Sequence, residues 1–184
     1  MDFPQALMAA RRDRGLSQER LARKIFVTDG MISAMERGDT NPPLALLAPL
    51  CLALDHPATY AAAALCANGG VGPMWHDGPR ADHHRLTARD RALREIGHAR
   101  AALERFGALI ESVEPDQLGA EGDRQFDVAL DQLADVVDQG WNALGDLCLW
   151  GGRSLADVWI HRREELVAGG YLVGKAGREN AKSA

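Results

Sequence analysis

Excess positive charge, aromatic residues, long apolar runs and cysteine are all scarce in this chain of 184 residues. Lys and Arg number 21 against 26 Asp and Glu, a formal net charge of −5. That balance excludes a polycation that coats nucleic acid through bulk charge, though not a binder with a local positive face. Aromatics make up only 5% of residues, and the abundance of Ala and Leu favours helices over a β-sandwich. The longest apolar run, Leu44 to Leu54, is interrupted by Pro49 and falls short of the roughly 18 residues of a membrane helix. The start Met-Asp-Phe-Pro has no basic patch followed by an apolar stretch, so no secretory leader is expected and a cytoplasmic location is. Cys51, Cys66 and Cys148 are an odd, widely spaced set in apolar segments. They read as small buried thiols in a reducing compartment, not as a disulfide framework.

Signatures of catalysis are missing too. There is no phosphate-cradling glycine loop, serine elbow or Cys-x-x-Cys pair, and Gly69-Gly70-Val71-Gly72 is not followed by a P-loop lysine. Neither an enzyme nor a cofactor is expected. His76, Asp77, Asp82, His83 and His84 are metal-ligand residue types, but they sit in a Gly/Pro-rich stretch that sets no spacing, so no metal site is expected. His98 and His161, beside Arg100 and Arg162-Arg163, read as residues of solvated faces.

What is present is a globular composition, 46% hydrophobic and 26% charged. Up to about Ala67 short apolar-periodic segments alternate with turn signals. Phe3, Ala6, Leu7 and Ala10 have helical spacing, stopped at Gly15. Ser17 can cap a second helix with Leu21, Ala22 and Ile25 inward, and Thr28 a third with Ile32 and Met35 inward, ended by Gly38. After Asn41-Pro42-Pro43 the pattern predicts two short apolar helices divided near Pro49, then an Ala-rich helix opened by Pro57. Residues 68–85 read as a Gly/Pro linker in which Trp75 is an anchor.

From Leu86 the texture changes. Ala92, Ile96, Ala99, Leu103, Phe106, Ile110 and Val113 alternate steps of four and three, as do Phe126, Leu130, Leu133, Val137, Gly140, Leu144 and Leu147. These are heptad seams of two long helices. Thr87 with Asp90 looks like the start of the first, Glu114-Pro115-Asp116 marks its end, and a loop is expected to about Gly122. Gly140 leaves a gap where a partner helix could approach. Ser154 can cap a third helix with Leu155, Val158, Trp159 and Leu166 inward. Trp141, Trp150 and Trp159 read as core fillers, with the lining of a ligand pocket as the alternative. The expected organisation is 1–67, linker 68–85, a helical bundle over 86–174 and a frayed tail over 175–184.

The stretch Arg11 to Leu54 resembles the Cro-repressor or XRE family of helix-turn-helix domains. Gly15-Leu16-Ser17-Gln18-Glu19 and Leu21-Ala22 match at helix two, Ile32-Ser33 and Glu36-Arg37-Gly38 at helix three, and Asn41-Pro42 with Leu44, Leu47, Leu50 and Leu54 after it. The resemblance implies an all-α chain with a lambda-repressor-like head and a C-terminal bundle. It also implies binding of double-stranded DNA, one helix lying across the phosphates and the next in the major groove. By the same resemblance Gln18 meets a phosphate, and Thr28, Asp29, Gly30, Met31, Ser33, Ala34, Arg37, Thr40 and Asn41 form the reading surface.

Two departures weaken that surface. Phe26 stands where the turn commonly has Gly, so the turn is of another type or strained. Asp29, Gly30 and Ala34 replace long amide or Arg readers, leaving Asp29 to accept from cytosine and Ala34 or Met31 to touch a thymine methyl. More weight then falls on Thr28, Ser33, Arg37, Thr40 and Asn41. Residues 1–56 balance seven basic against seven acidic side chains, so the remainder carries the whole −5. That partition suits a DNA-facing head and a body held away from DNA.

A small head reads a short site, and pairing two heads matches a palindrome. A homodimer through Ile96, Leu103, Phe106, Ile110, Leu130, Leu133 and Val137 is therefore expected, the alternative being seams that pack only within one chain. The function expected is that of a transcriptional repressor, with a small-molecule or protein effector at the bundle. The alternative is a protein-interaction adaptor or antitoxin-like protein that keeps the fold without DNA.

Overall fold

Cap chemistry places most of the helix ends. In a computed structural model, which describes residues 2–111, 114 and 117–171, the described residues form eight helices and no strand. These are α1 (Phe3–Asp13), α2 (Gln18–Lys24), α3 (Asp29–Arg37), α4 (Leu44–Leu54), α5 (Pro57–Ala67), α6 (Arg85–Ile110), α7 (Gly119–Gly151) and α8 (Leu155–Ala168). Asp2, Ser17, Thr28 and Ser154 each accept a backbone N–H three residues on, satisfying a donor that the first turn leaves without a helical partner. Gly38 closes α3 in the left-handed region at φ 77°.

The head is built on one apolar core. Leu7 and Ala10 of α1, Leu21 of α2, Ile32 and Met35 of α3, and Leu50 and Leu54 of α4 are all buried together. α4 is one continuous helix rather than two short ones, with Pro49 inside it. Leu47, Leu50, Cys51 and Leu54 lie on one buried face across the proline, and their burial offsets the hydrogen bond that the ring removes. Of the thiols, Cys51 and Cys148 are buried but Cys66 is exposed; burial pushes the Cys51 thiol up to about 12.

α6 and α7 form an antiparallel hairpin. Phe106 stacks on Phe126 with ring centroids 5.1 Å apart, Ile96 and Leu103 share a groove with Leu133, and Arg85 lies over the Trp150 ring. Partners thus recede along one helix as they advance along the other. α6 begins at Arg85, ahead of the Thr87 start read from sequence, and α7 at Gly119, ahead of Gly122.

The heptad seams close only in part within the chain, at Ala99 and Phe106. The hairpin contact is made by Ala102, Phe106 and Ala129, while Ile96, Leu103, Phe126, Leu130, Leu133 and Val137 are 39 to 59% exposed. Small residues let two backbones approach closely, and once they do, larger side chains beside them turn outward. Phe106 therefore belongs to the intrachain contact instead of an outer surface. The Ile110 side chain, Val113 and the tail lie outside the described residues. Gly140 has nothing within 4 Å of where a Cβ would stand.

The C-terminal tryptophans are not the core fillers expected. Trp150 and Trp159 are exposed, and only Trp141 packs against the head core. In α8, Leu155 alone is buried; Val158 and Trp159 face solvent. The helix rests on the body at its first turn and through Trp159, which stacks on Trp141 with ring centroids 6.2 Å apart and stays half exposed.

The segment between α5 and α6 lies strapped across α7. Asn142 accepts from the His76 N–H at 2.8 Å and donates to the Met74 carbonyl at 2.8 Å. His76 Nε2 lies 2.5 Å from Asp138 and His83 Nδ1 2.7 Å from Asp146. Trp75 is buried, stacked on His83 at 4.8 Å. It fills the space a side chain at Gly145 would need: a Cβ there would stand 2.5 Å from Trp75 and 2.6 Å from Pro57. A second tie joins the head to α8, where Asp55 accepts the Ala156 N–H at 3.1 Å and the Tyr60 hydroxyl at 3.2 Å.

Candidate nucleic-acid interface

The inner side of α3 is held from two directions. Ile32 and Met35 are wholly buried in the head core. Beside them, Arg11 of α1 grips Glu36 of α3 through two hydrogen bonds, Nε at 2.5 Å and Nη2 at 2.9 Å, and its Nη1 donates to the Leu16 carbonyl at 2.7 Å. The side chains are only 11% and 4% exposed, so this is a bidentate pair in a largely desolvated site. Burial pushes the Glu36 carboxyl up, but hydrogen bonds from Arg11 and Gln18 outweigh it and hold it below its ordinary range. The pair therefore stabilises the head fully above about pH 4.5, and that contribution is lost as pH falls through the lowered value.

Gln18, at the first position of α2, completes the network by donating its amide Nε2 to Glu36 at 2.8 Å. One of its two amide hydrogens is thereby used and the other remains for a phosphate oxygen. The resemblance alone gave no hint that Gln18 also fixes α3.

The outer edge of α3 is open. Thr28, Asp29, Gly30, Met31, Arg37, Thr40 and Asn41 are exposed, with Ser33 and Ala34 half-buried between them. Thr28 Oγ1 accepts the Met31 N–H at 3.2 Å and keeps its hydroxyl hydrogen free to donate. Asp29 accepts the Gly30 N–H at 2.9 Å, next to the positive end of the helix. A side chain at Gly30 would meet only the Thr28 hydroxyl, at 4.0 Å.

Arg37 is committed in a way its sequence neighbourhood did not reveal. Its Nη1 donates to Ser33 Oγ at 2.5 Å, and its Nε and Nη2 lie 2.8 and 2.7 Å from Asp39. Two of the residues given most weight as readers are thus joined to each other, and an acid just past the helix partly neutralises the arginine. The pair is well exposed, so it is weak and yields readily to a phosphate or a base edge.

The α2–α3 turn resolves the question raised by Phe26. Phe26 takes φ 58°, in the left-handed region that glycine fills without strain. Its ring is 95% exposed and gains nothing from packing in return. The geometry is the ordinary tight turn with an unsuited residue in it.

Residues 7–60 match the helix-turn-helix family model, whereas no curated protein and no solved structure matches the chain. No helix among the described residues is long and apolar enough to cross a membrane. With α2 and α3 joined by a tight turn, α3 locked from behind and its outer edge bare, the N-terminal third of this chain is a DNA-binding helix-turn-helix domain of the XRE type.

Proposed function

We propose that the protein is a transcriptional repressor that binds a palindromic DNA site as a homodimer. The observation that carries the reading is the pairing of a rigidly backed α3 with an uncovered outer edge. In this reading Gln18 meets a phosphate, Thr28, Ser33 and Arg37 read base edges or the phosphates beside them, and Thr40 and Asn41 reach the backbone. Asp29, Gly30, Met31 and Ala34 contribute shape and methyl contacts.

Dimerisation is supported by the open stripe of Ile96, Leu103, Leu130, Leu133 and Val137. Two hairpins laid stripe to stripe make a four-helix bundle, and the same patch on both chains gives a two-fold interface. Titration of full-length protein into mixed duplex DNA at two salt concentrations tests the first half. DNA binding loses affinity with salt at a log–log slope of roughly −0.9 per phosphate neutralised. Absence of binding at either salt would instead leave an adaptor that kept the fold. Sedimentation of Leu133→Asp tests the second half: monomers are expected, since a charge on the stripe is costly to bury, and an intact dimer refutes this face as the interface.

A further inference from the structure

A sizeable cavity lies at the junction of head and body. It has a volume of about 790 Å³, within the range of sites that enclose a drug-sized molecule. Ala58, Ala62 and Leu65 of α5 form one wall and Trp75 and Pro79 of the strap another, with Arg80 and Arg91 at its edge. Apolar surface dominates, so the cavity suits a hydrophobic body.

The charged groups at the edge set the sign of the guest. Arg91 is half-buried; its Nη2 donates to the Asp82 carbonyl, yet its Nε is buried without an acceptor. An unpaired buried donor is costly, and an incoming anionic oxygen would remove that cost. No described residue pairs with Arg80. The two acids on the lining are engaged already: Asp2 caps α1 by accepting the Gln5 N–H at 3.0 Å, and Asp77 has a partner of its own. The Arg91 charge already faces the Asp82 and Asp146 carboxylates, so what the edge has left to offer is the Arg91 Nε donor and the exposed Arg80 guanidinium.

We infer that this cavity binds an amphipathic organic anion, its apolar body against α5 and Trp75 and its carboxylate, sulfonate or phosphate on Arg91 and Arg80. Its walls come from α5 on the head and from the strap and α6 on the body, so a bound guest braces one against the other. Anion binding here does not depend on the head's binding DNA, and its test needs none.

Two fluorescent dyes make the comparison with the full-length chain: 8-anilinonaphthalene-1-sulfonate, and N-phenyl-1-naphthylamine, the same ring system without the sulfonate. The sulfonate is expected to bind at one site per chain, about tenfold tighter than the neutral dye, the worth of a hydrogen bond to a charged group. Arg91→Gln should bring its affinity down to that of the neutral dye. Should that variant fail to fold by circular dichroism, the surface variant Arg80→Gln carries the same readout. Leu65→Trp, which narrows the cavity, should weaken both dyes. Equal or tighter binding of the neutral dye overturns the assignment. So does a Leu65→Trp protein that binds both dyes as before, which would put them on the open face of the α6–α7 hairpin.

Discussion

Phe26 carries a left-handed backbone that costs roughly 1–2 kcal/mol for a residue with a side chain, and its exposed ring recovers none of it. Phe26→Gly is expected to stabilise the head by about 1 kcal/mol after the extra freedom of glycine in the unfolded chain is counted. Urea unfolding measures it, and a variant no more stable than the parent would show that the ring is packed after all. His56 gives the residue scale a pH dependence. Its Nδ1 caps α5 by accepting the Ala58 N–H at 3.2 Å, a role that protonation abolishes. Burial holds its pKa below the ordinary 6.5, helped by Arg14 and His83 and opposed by Asp13, 3.4 Å away. The unfolded chain takes up that proton first. Stability from this group is complete above about pH 6.5 and declines as pH falls through the lowered folded value. His56→Asn keeps a capping acceptor that does not titrate, so the loss of stability between pH 7.5 and 5.5 should shrink in that variant; an unchanged loss refutes the cap.

At the scale of helices, Gly145 is the point where no side chain fits. Gly145→Ala would drive a methyl into Trp75 and Pro57, both rigid, and should cost about 1–3 kcal/mol. A matching drop in the unfolding midpoint checks it; a neutral effect would mean that the strap yields. Much of this scale was legible in the sequence. Ser17, Thr28, Gly38, Pro57 and Ser154 mark helix ends because capping acts over three or four residues and needs no tertiary knowledge. The heptads were legible as faces, but periodicity says which residues share a face and not what that face meets. Ile96 and Leu103 are periodic and open, whereas Ala102, off the seam, is in the contact. Asn142 and Asp146 gave no signal, since a polar residue inside a helix becomes a buried anchor only when a distant segment crosses it. In the site, spacing gave the inward face of Ile32 and Met35, and the resemblance gave the outer edge of α3. The Arg37–Asp39 pair and the second duty of Gln18 depend on side-chain geometry that spacing does not contain.

At the scale of the whole molecule, charge is partitioned as the fold is. The near-neutral head carries the proposed interface, and the body holds the excess of acids, which disfavours its approach to DNA. The head is also tied to the body twice, through Trp75 and the strap against α7 and through Asp55 against the first turn of α8. A domain on a loose tether would swivel to suit targets at many separations. One bolted at two points has little freedom, so in the proposed homodimer the two heads would act as a caliper set to a single gap. Inserting five base pairs between the halves of a bound palindrome turns one half to the opposite side of the duplex, since a turn takes about 10 base pairs. Affinity should then collapse to that of a lone half, and an undiminished grip in a gel-shift titration would mean that the two fastenings give way.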